Sequence, residues 1–228
     1  MRSFLIMLVL VVLFLVVPVA QAQNNEVKSG GSANFQVDRE YVELPSPPVL
    51  YEPEDGRVEV LSFFWYGCPH CYIVDFEVAA WAAQLPSDVR FVWLPVKFKA
   101  PVDFHARIFL TLEALGQGRE TDRKVFAIFQ DQGHFINTPA ELPGLARDLK
   151  IDPALFVQTF NSSVIQAKME ILEKLMNVYN LPGVPSMVID GKYRFDIGMT
   201  HGPARYIKLA DLLIARERAL RAEKTPDF

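Results

Sequence analysis

VEVLSFFWYGCPHCYIVDFEVAAWAAQL, residues 58–85, decides how the rest of the chain is read. Val58 to Trp65 is rich in β-branched and aromatic residues and short enough for a buried strand. Gly67 ends it, and Cys68-Pro69-His70-Cys71 follows at once. Tyr72 to Leu85 reads as a helix rich in Ala, Val and aromatics, closed before Pro86. Val89 to Val96 (VRFVWLPV) is a second strand. Strand, helix and strand in such close succession form a right-handed βαβ unit with parallel strands.

Downstream the periodicity turns helical. Phe104, Ile108, Leu112 and Leu115 mark one face of a helix over Val102–Leu115, ended by Gly116 and Gly118. Asp122 to Gln130 repeats the pattern with Val125, Phe126 and Phe129. Thr138-Pro139-Ala140-Glu141 combines an N-cap, a Pro at the first helical position and a capping-box Glu. Asp152-Pro153 opens another short helix, and Ser163 to Tyr179 a longer one. Ser186–Ile189 and Lys192–Phe195 flank Asp190-Gly191, a two-residue hairpin signal, and a last helix covers Ala204 to Glu223. Upstream, Phe35–Leu44 holds a short strand and Pro45–Pro53 is a Pro-rich loop.

At the front, Arg2 precedes an apolar run from Phe4 to Val17, Pro18 breaks it, and Ala20-Gln21-Ala22 gives a small-x-small cleavage pattern. Such a run is short for spanning a bilayer, which takes about 20 residues. Removal after Ala22 is therefore expected, with the mature chain exported and Asn24–Asn34 a polar lead-in. The 228 residues are half hydrophobic, with 17 Phe, enough for one core with an inserted subdomain. A net charge of −4 offers no basic stripe for phosphates, which argues against nucleic acid as a partner.

Export sharpens the reading of the two cysteines, because structural disulfides belong to oxidising compartments. A bridge across two residues closes almost no loop and would restrain the unfolded chain little, so a chemical role is the better explanation. With the helix starting near Pro69, Cys68 caps it, facing free N–H groups and the positive end of the dipole, which stabilise a thiolate. Pro69 fits the first turn, and a protonated His70 adds positive charge. Cys71, one turn on, is near enough to bridge and should be the more buried, resolving thiol. A stabilised thiolate favours the reduced form and makes the disulfide an oxidant. Cys68 is then the sulfur that a substrate thiol attacks. Zinc usually takes four ligands and only one Cys pair is present, so no metal is expected. Haem attachment needs His after the second cysteine, where Tyr72 stands.

Gly183-Val184-Pro185-Ser186-Met187 precedes the hairpin. Pro185 is either an ordinary trans proline entering a strand or a cis proline beside the cysteines, leaving Val184 main-chain groups for an extended substrate; periodicity does not choose.

Phe63-Phe64, Cys68-Pro69-His70-Cys71-Tyr72, and Gly183 to Met187 running into Asp190-Gly191-Lys192-Tyr193 together resemble the DsbA family of periplasmic disulfide oxidases. The resemblance implies an α/β, thioredoxin-like fold, βαβ plus a C-terminal ββα, with an inserted all-helical subdomain. The boundaries are a signal peptide at 1–22, a lead-in with the first strand at 23–57, thioredoxin-like parts at 58–100 and 182–228, and the insertion at 101–181. It implies Cys68 as nucleophile, Cys71 as its partner, Pro185 in cis, and no cofactor beyond the redox-active disulfide. Partners would be unfolded exported polypeptides with free thiols and a quinone-linked, DsbB-like membrane reoxidase; a monomer is expected. An isomerase or reductase on the same fold, or a peptide-holding chaperone, is the alternative.

One departure stands out. The family often carries a buried acid six residues before the first cysteine, where this chain has Ser62, while Glu59 should face the opposite side of the strand. Trp93 and Leu94 stand where a compensating Lys would be sought, so no buried ion pair is expected under Cys71. Asp75 and Glu77 read as solvent-facing, and Arg216–Lys224 as a solvated helix face. His105, His134 and His201 read as surface or polar-interface residues, and Trp65, Tyr66 and Tyr72 as candidates for a groove rim.

Overall fold

The computed structural model describes residues 35–45, 51 and 55–224. The expected leader at 1–22, the lead-in at 24–34 and most of the Pro-rich loop lie outside them. β1 is Val42–Glu43 and β2 is Val58–Phe64, whose seven residues are all buried, as a strand covered on both faces must be. α1, Pro69–Ala82, crosses to β3, Val89–Pro95, which pairs with β2 in parallel from Val58↔Val89 to Phe64↔Pro95. Five helices follow: α2 (Val102–Ala114), α3 (Arg119–Gln130), α4 (Leu142–Asp148), α5 (Pro153–Phe160) and α6 (Ser163–Tyr179). β4 (Ser186–Ile189) and β5 (Tyr193–Asp196) return to the sheet, and α7 (Ile197–Thr200) and α8 (Pro203–Lys224) end the chain. The sheet order is β1-β5-β4-β2-β3, with every pairing except β2–β3 antiparallel.

The expected elements are present, and their ends follow local chemistry. The hairpin turn places Asp190 at φ 53° and Gly191 at φ 63°, the pair of positive values that a two-residue turn matched to strand twist requires. Asp152 accepts the Leu155 N–H at 2.7 Å to start α5, and Ser162 accepts that of Ile165 at 3.3 Å to start α6. Glu141 accepts the Thr138 N–H at 2.8 Å, but the segment it closes is a 3₁₀ turn, Pro139–Glu141, with α4 behind it.

Two cores flank the sheet because side chains alternate along β2. Val58 and Val60 share one core with Val74 and Val78 of α1 and with Leu209 and Leu213 of α8. Leu61 and Phe63 share the other with Ile108 and Leu112 of α2 and with Leu172 and Tyr179 of α6. Glu59 follows Leu61 and Phe63, away from α1. It bonds Arg90, its register partner on β3, at 2.9 Å and accepts the Tyr51 N–H at 2.8 Å.

Two surface expectations fail here. Asp75 is buried, not solvent-facing, in ion pairs with Arg119 and with Arg123 (3.4 Å). It lies one helical turn from Cys71 on the same face of α1, and both of its partners come from α3. Arg216–Lys224 is not a plain solvated face either. Glu217 continues the buried row Tyr206, Ala210, Leu213, accepting the Tyr193 hydroxyl at 2.7 Å and pairing with Lys192. Glu77 is exposed, as its position suggests.

Candidate active site

β2 runs straight into the site. Trp65, Tyr66 and Gly67 turn the chain, and the Trp65 carbonyl accepts the Cys68 N–H at 3.0 Å. Cys68 is the N-cap of α1, its sulfur accepting the Cys71 N–H at 3.4 Å, and Pro69 takes the first helical position, where a missing N–H leaves nothing unpaired. The two thiols are unbridged in this structure; Cys68 is 7% exposed and Cys71 2%.

The two sulfurs are chemically unequal. The Cys68 thiol is lowered from 9.0 to about 6, chiefly because the Cys71 thiol donates to its sulfur. Burial opposes this, while the main-chain N–H groups of Cys71 and His70 and the His70 charge assist it. Cys71 moves the other way: burial first, then the Cys68 sulfur, push its thiol well above 9.0, with Asp75 adding to the rise. A readily ionised outer sulfur beside a protonated inner one is the arrangement a thiol-exchange couple needs.

Val184 and Pro185 come back to this sulfur from more than a hundred residues away. The Val184–Pro185 bond is cis, and the Cys68 thiol donates to the Val184 carbonyl at 3.6 Å. A second cis bond, Ala100–Pro101, stands before α2, where nothing in the sequence pattern marks it. An open groove of about 500 Å³ lies between α1 and the Val184–Pro185 loop, lined by His70, Ile73, Val184, Pro185, Ile197 and Gly198 among others. Ile73 is 63% exposed and Phe76 69%, so α1 presents apolar surface beside the thiols. Cys68, Pro69, His70, Cys71, Val184 and Pro185 thus converge on one locality.

The aromatic candidates behave differently from one another. Tyr66 is no groove rim: it is buried, and its hydroxyl donates to Asp122 at 2.6 Å. Tyr72 is half-buried and bonds Asp131 at 2.7 Å, and Trp65 is half-buried against Gly67. A Cβ on Gly67 would sit 2.3 Å from the Trp65 ring, so only glycine permits that approach. His105 is buried beside Trp65, whereas His134 and His201 are exposed. The Tyr206 hydroxyl, buried without a hydrogen-bond partner among the described residues, is raised by burial and then by the Cys71 sulfur. Among the described residues no three His, Cys, Asp or Glu side chains are placed to hold a metal ion.

A mixed sheet whose interior strand β2 delivers a helix-capping Cys-x-x-Cys pair, one thiol lowered and the other raised, defines a thiol–disulfide oxidoreductase of the thioredoxin type. Residues 102–213 match the family described as "DSBA-like thioredoxin domain". The thiol:disulfide interchange protein DsbA of Pseudomonas aeruginosa is 41% identical over 186 residues, covering 82% of this chain and 87% of that one. DsbA of Azotobacter vinelandii is 37% identical, covering 87% and 92%. The crystal structure of Pseudomonas aeruginosa DsbA superposes with a TM-score of 0.78 at 42% identity, covering 84% of this chain and 97% of that one. The chain belongs to the DsbA family and is a thiol:disulfide oxidoreductase that forms disulfide bonds.

Proposed function

We propose that Cys68 and Cys71 are the working couple, oxidised at rest, and that the chain transfers their disulfide to exported polypeptides carrying free thiols. A substrate thiolate attacks Cys68, the Cys68–Cys71 bond breaks, and Cys71 leaves as a thiolate that takes up a proton. A second substrate thiolate then attacks the substrate sulfur of the mixed disulfide, and Cys68 leaves as a thiolate. The substrate loses two electrons and two protons, and the protein holds two reduced cysteines. The low thiol of Cys68 carries this reading, because it makes Cys68 a good leaving group in the last step. Pro69 starts the helix whose N-terminus meets the Cys68 sulfur, and His70 adds its main-chain N–H and its charge. Val184 and Pro185 hold the substrate main chain in the groove beside Cys68.

Reoxidation needs an acceptor for two electrons, assigned here to a quinone-linked, DsbB-like membrane partner. No cofactor beyond the disulfide is required. The place of action is the periplasm, after removal of residues 1–22, and the working form is a monomer. Residues 58–100 and 182–228 are read as the thioredoxin-like halves, with 101–181 inserted between them.

The test is the redox equilibrium of the purified chain in a glutathione series, read by alkylation of both cysteines. A strongly oxidising couple supports the disulfide donor. A potential near that of thioredoxin, about −270 mV, points instead to a reductase or isomerase.

A further inference from the structure

Trp65 bears on both cysteines through its main chain. Its carbonyl accepts the Cys68 N–H at 3.0 Å, fixing the residue that caps α1. Its main chain also acts on Cys71, opposing the upward push of burial on that thiol. The position of this residue relative to the sulfurs therefore depends on what holds its side chain. The indole lies over Gly67 on one side, and its Nε1–H donates to Nδ1 of His105 at 2.8 Å on the other. His105 belongs to α2, forty residues further along the chain.

His105 is itself fully determined. Because Nδ1 accepts, the ring proton sits on Nε2, which faces Asn137 Oδ1 at 3.0 Å. The ring is buried against Phe129, with centroids 4.7 Å apart in an edge-on contact. A residue placed this way has one free choice left, its acceptor nitrogen, and that nitrogen is given to Trp65.

We propose that His105 is a positioning residue for the thiol pair, anchoring the Trp65 indole and through it the main-chain groups that Trp65 presents to Cys68 and Cys71. This rests on the reading of Cys68–Cys71 as the working couple. Loss of the anchor lets the turn before Cys68 relax and weakens the capping geometry that favours the thiolate. The reduced form then loses stabilisation relative to the disulfide, and the couple becomes less oxidising.

The experiment compares the purified chain with His105→Phe, His105→Gln, Trp65→Phe and the double variant Trp65→Phe/His105→Phe. Each is checked for folding by circular dichroism and thermal melting. The glutathione equilibrium constant and the titration of the Cys68 thiolate by its ultraviolet absorbance are then measured. His105→Phe and Trp65→Phe should each move the equilibrium toward the disulfide, by at most about fivefold, the full worth of one hydrogen bond, and raise the Cys68 titration. The double variant should move it no further than either single one, since both remove the same contact. His105→Gln, which keeps an acceptor, should restore most of the wild-type value. A folded His105→Phe with wild-type equilibrium and titration overturns the proposal even if its melting temperature falls, because that is a purely structural role. Additive shifts in the double variant overturn it too. If His105→Phe does not fold, Trp65→Phe decides by the same criterion. A wild-type chain without an exchangeable Cys68–Cys71 disulfide shows instead that the reading of the site has failed, and this inference with it.

Discussion

At the scale of single residues, the inequality of the two sulfurs is the central property, and it makes a direct prediction. A thiol at about 6 is about nine-tenths ionised at pH 7, whereas one at 9.0 is only about 1% ionised. In the reduced chain, alkylation of Cys68 should therefore rise with a midpoint near pH 6 and level off, while Cys71 stays unmodified at neutral pH. Mass spectrometry of peptides after brief iodoacetamide treatment checks both halves. A second prediction concerns Asp75, which holds Arg119 and Arg123 against the active-site helix. Asp75→Asn leaves two guanidinium groups without their shared carboxylate. Removing one partner of a fully buried pair costs about 3–5 kcal/mol. Both arginines keep access to water, so the cost should be nearer about 2 kcal/mol, read as a lower denaturation midpoint in urea. The Cys71 thiol should at the same time become easier to ionise, since Asp75 is one of the charges raising it.

At the scale of elements, the sequence was most legible where the chemistry is local. Asp190-Gly191 marked the hairpin, Asp152-Pro153 the start of α5, and Cys68-Pro69 the start of α1. Long-range partners were not legible. The Trp65–His105 bond joins residues forty positions apart, and the Tyr66–Asp122 bond fifty-six. No periodicity pairs a donor on a turn with an acceptor on a distant helix. Asp75 and Glu217 are a different case, since each lies on a readable buried row, after Cys71 and after Leu213. Their charge masked the row until the partner helix or strand was in place. The Glu217 carboxylate sits under α8 and ties it to the β5 end of the hairpin through Lys192 and the Tyr193 hydroxyl. Glu217→Ala should cost about 2–3 kcal/mol, because Lys192 keeps Asp190 as a partner but the Tyr193 hydroxyl is left buried. For a chain of this size each kcal/mol lowers Tm by about 2–4 °C. Glu77→Gln on exposed α1 surface is the control and should stay within about 0.5 kcal/mol.

At the scale of the whole molecule, the thiol values become a statement about which redox form folds better, and at which pH. In the folded reduced chain Cys68 ionises near pH 6, and in the unfolded chain it ionises near 9.0. Between those values the unfolded state holds one more proton than the folded one, so stability rises with pH by about 1.4 kcal/mol per unit. This contribution is complete above pH 9 and is lost as pH falls through 6. Cys71 has the opposite sign: its folded thiol lies well above 9.0, so above that pH the unfolded chain sheds a proton that the folded one keeps, and stability falls again. The oxidised chain has neither thiol, and its bridge closes too short a loop to restrain the unfolded state much. Subtracting one form from the other therefore isolates the cysteines from every other titrating group. The difference in Tm, reduced minus oxidised, should climb from pH 5 through neutrality, peak near pH 9 and then decline, as followed by calorimetry with and without reductant. A thermodynamic cycle links that difference to oxidising power, because whatever folding adds to the reduced form is lost when the disulfide is made. A flat difference across pH 6–9 would mean that the fold does not favour the Cys68 thiolate, and the oxidising strength of the couple would then need a source other than the N-terminus of α1.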